Sequence, residues 1–480
     1  MTWKNSILRE SDTCWRIEDA TKVALLVDGW AYLPAMRAAM ERAEHSILLI
    51  GWDFDARVPL GPPTDENGDT EPLCDLMTRL LALTPDLKVH ILIWKMAIGY
   101  SVQRRDSPQR AARWLPRDRL EYRLDGGHPV GASHHQKILV VDDSVAFCGG
   151  SDFTRNRWDT SLHLPVDRRR RTLDGSLYKP RHEVMLAVAG PAAAALGELA
   201  RRRWRRATGV QLPRPVAEKT AWPENLAPDM SDVRLGIART EPADMRATAV
   251  REVEALYLAA IAAAEHWIYL ENQYVTSPVI ANALAQRLEE RDGPEIVILC
   301  PARSAGIFER LAMDRPRIPL IHSLRGKDIH QRLRVFAPMA AIDQPITVHS
   351  KLMVVDDRFL RVGSANLNNR SLGLDTECDV AIEAGSDDPA ARRRIQMLLS
   401  RLVAEHVGRS AEVFAAELER SGSLIATITM LNQAEGRHLD PFPALRPGWL
   451  DQLLGRTHFF DPFDAADNWR PWRRLQGRPR

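Results

Sequence analysis

Cysteine is scarce in this sequence. Its five residues, Cys14, Cys74, Cys148, Cys300 and Cys378, stand singly, with no CxxC pair and no metal-ligand spacing, which excludes a zinc ribbon and a dense disulfide framework and fits a reducing compartment. Long apolar runs are missing too. No segment reaches the length of about 18 uncharged apolar residues that a spanning helix needs, and the charged stretch Met1 to Lys22 lacks the apolar core of a secretory signal. A cytoplasmic location is expected, with any contact to a bilayer made peripherally. Nor is there an excess of charge of one sign: 65 Lys and Arg against 63 Asp and Glu leave a formal +2. Attraction to a polyanion would therefore come from local clusters. Two are present, Arg168 to Arg171 and the Arg201 to Arg206 run around Trp204. Each reads as a solvated face or as a polyanion track.

What is present is a globular composition, 480 residues with 45% hydrophobic content, and an internal repeat. Ala43 to Ile50 has a counterpart in Ala264 to Glu271, a helical stretch running into an apolar strand. Val89 to Trp94 and Ile296 to Leu299 supply a second strand in each half, so the rhythm is βαβ. His135-Gln136-Lys137-Ile138-Leu139-Val140-Val141-Asp142 then matches His349-Ser350-Lys351-Leu352-Met353-Val354-Val355-Asp356 in spacing and apolar filling. Short strands follow at 146–148 and 360–362, each ending in a glycine turn. Helices are predicted over Pro191 to Arg206 and Pro389 to Val407. This organisation divides the chain into a first lobe (1–210), a proline-rich connection (211–245) with five prolines, a second lobe (246–420) and an extension (421–480) rich in Trp, Pro and Arg.

One HxKxxxxD match is a weak signal; two in register are not. Gly149-Gly150-Ser151-Asp152 and Gly363-Ser364-Ala365-Asn366 follow the two motifs at the same distance. On a strand, residues two apart share a face, so His135 with Lys137 and His349 with Lys351 project together. Cleaving a phosphodiester needs a nucleophile, an acid for the leaving oxygen and positive charge around the phosphoryl oxygens. One imidazole attacks phosphorus while the other protonates the departing alcohol and then serves as base. The lysines and Asn366 hold the phosphate charge, so neither cofactor nor metal is expected. A nucleophilic imidazole needs an acceptor on its second nitrogen, and Glu183 and Glu377, at equivalent places in the repeat, are the candidates. Asp142 and Asp356 end the strand and are expected to fix the turn or a lysine. Asp152 stands where the second copy has Asn366 and is expected to orient a neighbouring group. Trp52, Asp53 and Glu271 to Tyr274 fall where a cleft should open; His134 lies outside the motif spacing that His135 keeps, and His163 and His182 read as surface residues or as hydrogen-bonding supports rather than catalytic groups.

These motifs resemble those of the phospholipase D superfamily over roughly Trp30 to Val407. Ile268-Tyr269-Leu270-Glu271-Asn272-Gln273-Tyr274, Gly363 to Ser371, and Gly149 to Asp152 with Arg157-Trp158-Asp159 are similar to segments of its phospholipid-acting branch. The resemblance implies an α/β fold of two tandem α-β-α lobes related by pseudo-two-fold symmetry around one shared cleft. It implies His135 as nucleophile and His349 as general acid and base, with Lys137, Asp142, Lys351 and Asp356 completing the catalytic motifs. Gly149, Gly150, Ser364, Asn366, Asp152, Glu183 and Glu377 bind phosphate or support it. The expected reaction is hydrolysis of a glycerophospholipid at a membrane surface to phosphatidate and an alcohol, with water or a second alcohol as acceptor. A cardiolipin-synthase-like transfer, a nuclease and an idle lipid- or polyanion-binding module are the rivals. Nucleic acid is the less favoured partner. Trp204 within its arginine helix and the Trp469 to Arg474 tail are candidate bilayer-docking elements.

Overall fold

Ile138-Leu139-Val140-Val141 and Leu352-Met353-Val354-Val355 are unbroken apolar runs, the pattern of strands covered on both faces, and every residue of both is buried. In the computed structural model, which describes residues 6–61, 71–95, 113, 118–243, 248–304, 306, 309–433 and 435–465, they lie inside one long mixed sheet. In the first half the spatial order is Leu120–Asp125, Lys88–Trp94, Ser46–Gly51, Ile138–Val141, Val145–Gly149, Val184–Ala189, Arg16–Val27. In the second half it is Leu333–Ala341, Glu295–Leu299, Trp267–Asn272, Lys351–Val355, Phe359–Gly363, Glu377–Glu383, Met230–Glu241. The first two pairings in each series are parallel and the rest antiparallel. Arg16–Val27 pairs antiparallel with Met230–Glu241, so the two series join edge to edge.

Strand alternation divides the core. Leu48 and Ile50 enter one apolar cluster while Ile47 and Leu49 enter another on the opposite face. The shared cluster holds Leu196, Leu199 and Trp204 of the helix Pro191–Thr208 and Ile395, Leu399 and Leu402 of the helix Pro389–His406. Both helices begin with proline in the first turn, where its missing N–H costs nothing. On the other face Asp28–Met40 and Leu73–Leu83 cover the first half. Glu252–Ala263, Pro278–Glu289 and Arg315–Lys327 cover the second.

Three expectations need correction. The region read as a proline-rich connection contains the twelve-residue strand Met230–Glu241, which pairs on both edges; its first half is polar and only its second half is continuously buried, so it lacked an apolar signature. The arginine helix is a solvated face only at Arg205 and Arg206; its other arginines turn inward. Arg201 pairs with Asp143 at 2.6 Å, Arg203 with Asp125 at 2.7 Å, and Arg202 and Arg206 both with Glu241. Trp204, the proposed docking residue, is fully buried edge-on to His90 with ring centroids 4.9 Å apart. In the other basic run Arg170 is buried against Asp159 at 3.0 Å. The Trp469 to Arg474 segment lies outside the described residues. The extension before it adds the strand His438–Pro441 to the edge of Leu333–Ala341 and brings the Asp461 carboxylate onto the backbone N–H groups of Asn369 and Arg370, at 3.1 and 2.9 Å. Among the described residues no helix is long and apolar enough to cross a membrane.

Candidate active site

Both histidines sit just ahead of their strands, which begin at Ile138 and Lys351. Each is held extended by a backbone bond to the other half: His135 N–H donates to the Thr376 carbonyl and His349 N–H to the His182 carbonyl, both at 2.9 Å. The side chains repeat the exchange. His135 Nδ1 lies 3.0 Å from both carboxylate oxygens of Glu377, and His349 Nδ1 lies 2.7 Å from Glu183 Oε2. Each imidazole is therefore oriented by a carboxylate of the opposite half, which leaves its Nε2 for chemistry. Glu377 also accepts the Ser364 hydroxyl at 2.5 Å, and Glu183 the Arg181 guanidinium at 3.1 Å.

Lys137 and Lys351 are buried, and each Nζ donates back to the carbonyl of its own histidine, at 2.9 and 2.6 Å. Lys137 also lies 3.3 Å from Asp152 Oδ2, and Lys351 donates to Gln273 Oε1 at 3.2 Å. The lysines of both halves bear on His135, and so do those on His349. Burial, reinforced by these cations, holds both imidazoles well below the usual histidine range. Burial also draws Lys351 down to about 7 and lifts Glu377 to about 8. Asn366 is buried, with an Oδ1 that accepts no hydrogen bond among the described residues. A buried amide left short of partners is placed to meet a ligand.

The remaining motif residues serve the frame. Asp152 Oδ1 accepts the backbone N–H of Trp52 at 2.8 Å and of Asp53 at 3.2 Å, so this carboxylate anchors the loop after the first repeat strand and faces Lys137 with its other oxygen. Asp142 and Asp356, grouped with the catalytic set by their motif, are occupied elsewhere. Asp142 accepts the backbone N–H groups of Glu44, His45 and Ser46, and Asp356 those of Glu265, His266 and Trp267, all within 2.6 to 2.9 Å. Both lie at the far end of their strands from the histidines and fix the start of the neighbouring strand. Asp142→Ala or Asp356→Ala is expected to destabilise the fold by about 3 kcal/mol through three orphaned amides, read as a lower urea midpoint with little change in turnover of the folded fraction. Gly150 is dictated by space: a Cβ there would meet Glu183 Oε1 at 2.3 Å and the His349 carbonyl at 3.0 Å. Gly150→Ala is expected to push Glu183 off His349 and lower turnover by about 10²-fold, with KM measured alongside to separate binding from chemistry.

Of the supporting histidines, His134 is buried between Thr376 Oγ1 and Asp125, each at 3.1 Å. His163 and His182 are fully buried and bonded to carboxylates on both ring nitrogens. Sequence reading missed Arg157 and Arg181, whose charges depress His349; Arg157 lay within the Arg157-Trp158-Asp159 stretch, and Arg181 directly precedes His182-Glu183. Trp52 stacks on Trp94 at 5.5 Å and meets His135 edge-on at 6.3 Å, forming an aromatic wall beside that imidazole.

Comparison with known proteins adds the following. Residues 257–397 match the family model described as "Cardiolipin synthase, PLD-like domain". Phospholipase D A of Dictyostelium discoideum is 24% identical, over 81% of this chain and 36% of its own length. Cardiolipin synthase A of Pseudomonas putida is 26% identical, over 74% of this chain and 64% of its own. The chain thus spans less than two thirds of either relative. The crystal structure of a phosphatidylserine synthase from Haemophilus influenzae superposes with a TM-score of 0.51 at 13% identity, over 86% of this chain and 96% of that one, a likeness of fold.

Proposed function

We propose that this chain, similar to the PLD-like family model over residues 257–397 and to phospholipase D and cardiolipin synthase relatives, is a phosphodiesterase of the phospholipase D superfamily that cleaves the head-group ester of a glycerophospholipid through a covalent phosphohistidine. The observation that carries the reading is the crossed pairing of His135 with Glu377 and His349 with Glu183 around two buried lysines. Its two halves act as lobes of one duplicated unit, related by approximate two-fold symmetry. The matched strand orders support this.

In the mechanism, the phosphate enters between Lys137, Lys351 and Asn366. His135 Nε2, freed by the bond from Nδ1 to Glu377, attacks phosphorus as the bond to the head-group oxygen breaks, and His349 Nε2 delivers the proton that oxygen needs. The anion raises the proton affinity of both imidazoles, which supplies the acid its proton. His349, now neutral, takes a proton from water or an alcohol, whose oxygen displaces His135 and releases phosphatidate or a new phosphodiester. In this scheme the first half-reaction is common to hydrolysis and transfer, so the acceptor decides the product.

Three titrations set the pH dependence. The free site needs Glu377 as a carboxylate, which it becomes toward pH 8, Lys351 as a cation, which it loses through about pH 7, and a proton on His349, whose imidazole burial holds well below the usual histidine range. The kcat/KM profile is expected to level off on the acid side of pH 7 and to fall above it, where the acid and the Lys351 charge are both lost. The kcat profile should extend further to alkaline pH, because bound phosphate stabilises the Lys351 cation. A flat profile from pH 6 to 9 would remove these assignments.

The test is incubation of the purified chain with phosphatidylcholine, phosphatidylethanolamine and phosphatidylglycerol vesicles, without added metal, following phosphatidate, head group and cardiolipin. Release of phosphatidate marks the hydrolase and cardiolipin the transferase. The aromatic wall beside His135 favours one second reading, cleavage of single-stranded nucleic acid by base stacking. Cutting of an oligonucleotide with no lipid turnover would establish it, although Arg170, Arg201, Arg202 and Arg203 of the arginine clusters are taken up by ion pairs within the chain.

A further inference from the structure

Behind the cleft lies a second, fully enclosed constellation that the phosphoryl chemistry does not use. His163 Nε2 and His182 Nδ1 converge on a single oxygen, Glu405 Oε1, at 2.8 and 2.9 Å, and each also faces the Asp28 carboxylate at 3.5 Å. The histidines and Asp28 have no exposure and Glu405 has 7%. We propose that Asp28, His163, His182 and Glu405 are the four ligands of a divalent cation of the zinc class, bound across the two halves of the chain.

Three observations carry the assignment. The first is spacing: tetrahedral ligands about 2.0 Å from zinc stand about 3.3 Å from one another; the four imidazole-to-carboxylate separations, 2.8 to 3.5 Å, bracket that edge, and all the donor atoms lie within 4.8 Å of one another. The second is orientation. Each imidazole has its other nitrogen on a further carboxylate, His163 Nδ1 on Asp159 at 3.0 Å and His182 Nε2 on Glu271 at 2.8 Å. Those carboxylates are themselves held, Asp159 by Arg170 at 3.0 Å and Glu271 by the Tyr269 hydroxyl at 2.6 Å. A carboxylate behind each imidazole, itself anchored, is how proteins fix the tautomer of a metal-bound histidine. The third is an orphan: among the described residues Asp28 Oδ2 accepts no hydrogen bond, although its residue is entirely buried. Two nitrogens and two oxygens in a closed shell suit zinc, whereas calcium and magnesium call for about six oxygens.

The position gives the ion a task. Asp28 Oδ1 accepts the Glu183 N–H at 3.0 Å, and Asp28 N–H donates to the Glu183 carbonyl at 2.8 Å. A cation at Asp28 therefore stiffens the backbone that aims Glu183 at His349, while Glu405 fastens the helix Pro389–His406 of the second half to the first. It does not touch the reacting phosphate, and the inference stands whether or not the proposed lipid substrate is correct.

The test is elemental analysis of the full chain by plasma mass spectrometry, with cobalt(II) reconstitution of the unmodified protein. About one equivalent of bound zinc is expected, together with the intense visible absorption of four-coordinate cobalt and a thermal midpoint lowered by a strong chelator. His163→Gln and Glu405→Gln should each lose the metal, while His135→Ala retains it. Less than about a tenth of an equivalent, both as isolated and after incubation with zinc, would overturn the proposal. So would a six-coordinate cobalt spectrum, which needs no variant to fold. Metal-free protein would mean that protons alone fill the cluster.

Discussion

His135→Ala is expected to abolish phosphodiester turnover, a loss of about 10⁴-fold or more, because no other group on the first motif can attack phosphorus. The frame should survive: Glu377 keeps the Ser364 hydroxyl at 2.5 Å, and Gln136 Nε2 still binds the Glu377 carbonyl at 3.1 Å. Substrate labelled in the transferred phosphatidyl group, acid-quenched during turnover, should mark a peptide containing His135 in the parent protein and none in the variant. Turnover within about 10-fold of the parent would show that the nucleophile lies elsewhere.

His349→Ala should have a different signature. Loss of the general acid is expected to cost about 10³-fold with a choline or glycerol head group, whose alkoxide must be protonated as it leaves. A p-nitrophenyl ester leaves without a proton, so its first release should slow by less than about 10-fold. The labelled phosphohistidine should then accumulate, because its hydrolysis needs His349 as base. The carboxylate behind it stays ordered, since Glu183 retains Arg181 at 3.1 Å. Equal losses with both leaving groups would reverse the two histidine roles.

The parts of the molecule that were legible in the sequence are local. The two motifs, the strands that follow them and the helices Pro191–Thr208 and Pro389–His406 each carry their pattern within about twenty residues, and proline marks both helix starts. The acidic partners were identifiable by their matched places in the repeat, but not their exchange. His135 and Glu377 are 242 residues apart, and His349 and Glu183 are 166; nothing local states which imidazole meets which carboxylate. The same limit hid the fate of the arginine helix. Its charges looked solvent-facing because their partners, Asp125, Asp143 and Glu241, come from distant strands and turns. His163 and His182 were legible as supporting residues, yet not as one cluster, since Asp28 and Glu405 arrive from opposite ends of the chain. Met230–Glu241 was missed because its strand character comes from pairing on both edges rather than from its own residues.

The exchange of carboxylates makes each half depend on the other. A lone half would carry an imidazole without its orienting acid and an acid without its imidazole, so neither half is a weaker version of the whole. Competence belongs to the encounter of two halves, as in a homodimer whose subunits lend each other a residue. Carrying both halves in one polypeptide replaces a concentration-dependent association with a fixed effective molarity. The two halves are nevertheless not equivalent at Asp152 and Asn366, which hold the same place in the repeat: one tethers a lysine and a loop, and the other has an oxygen with no hydrogen-bond partner among the described residues.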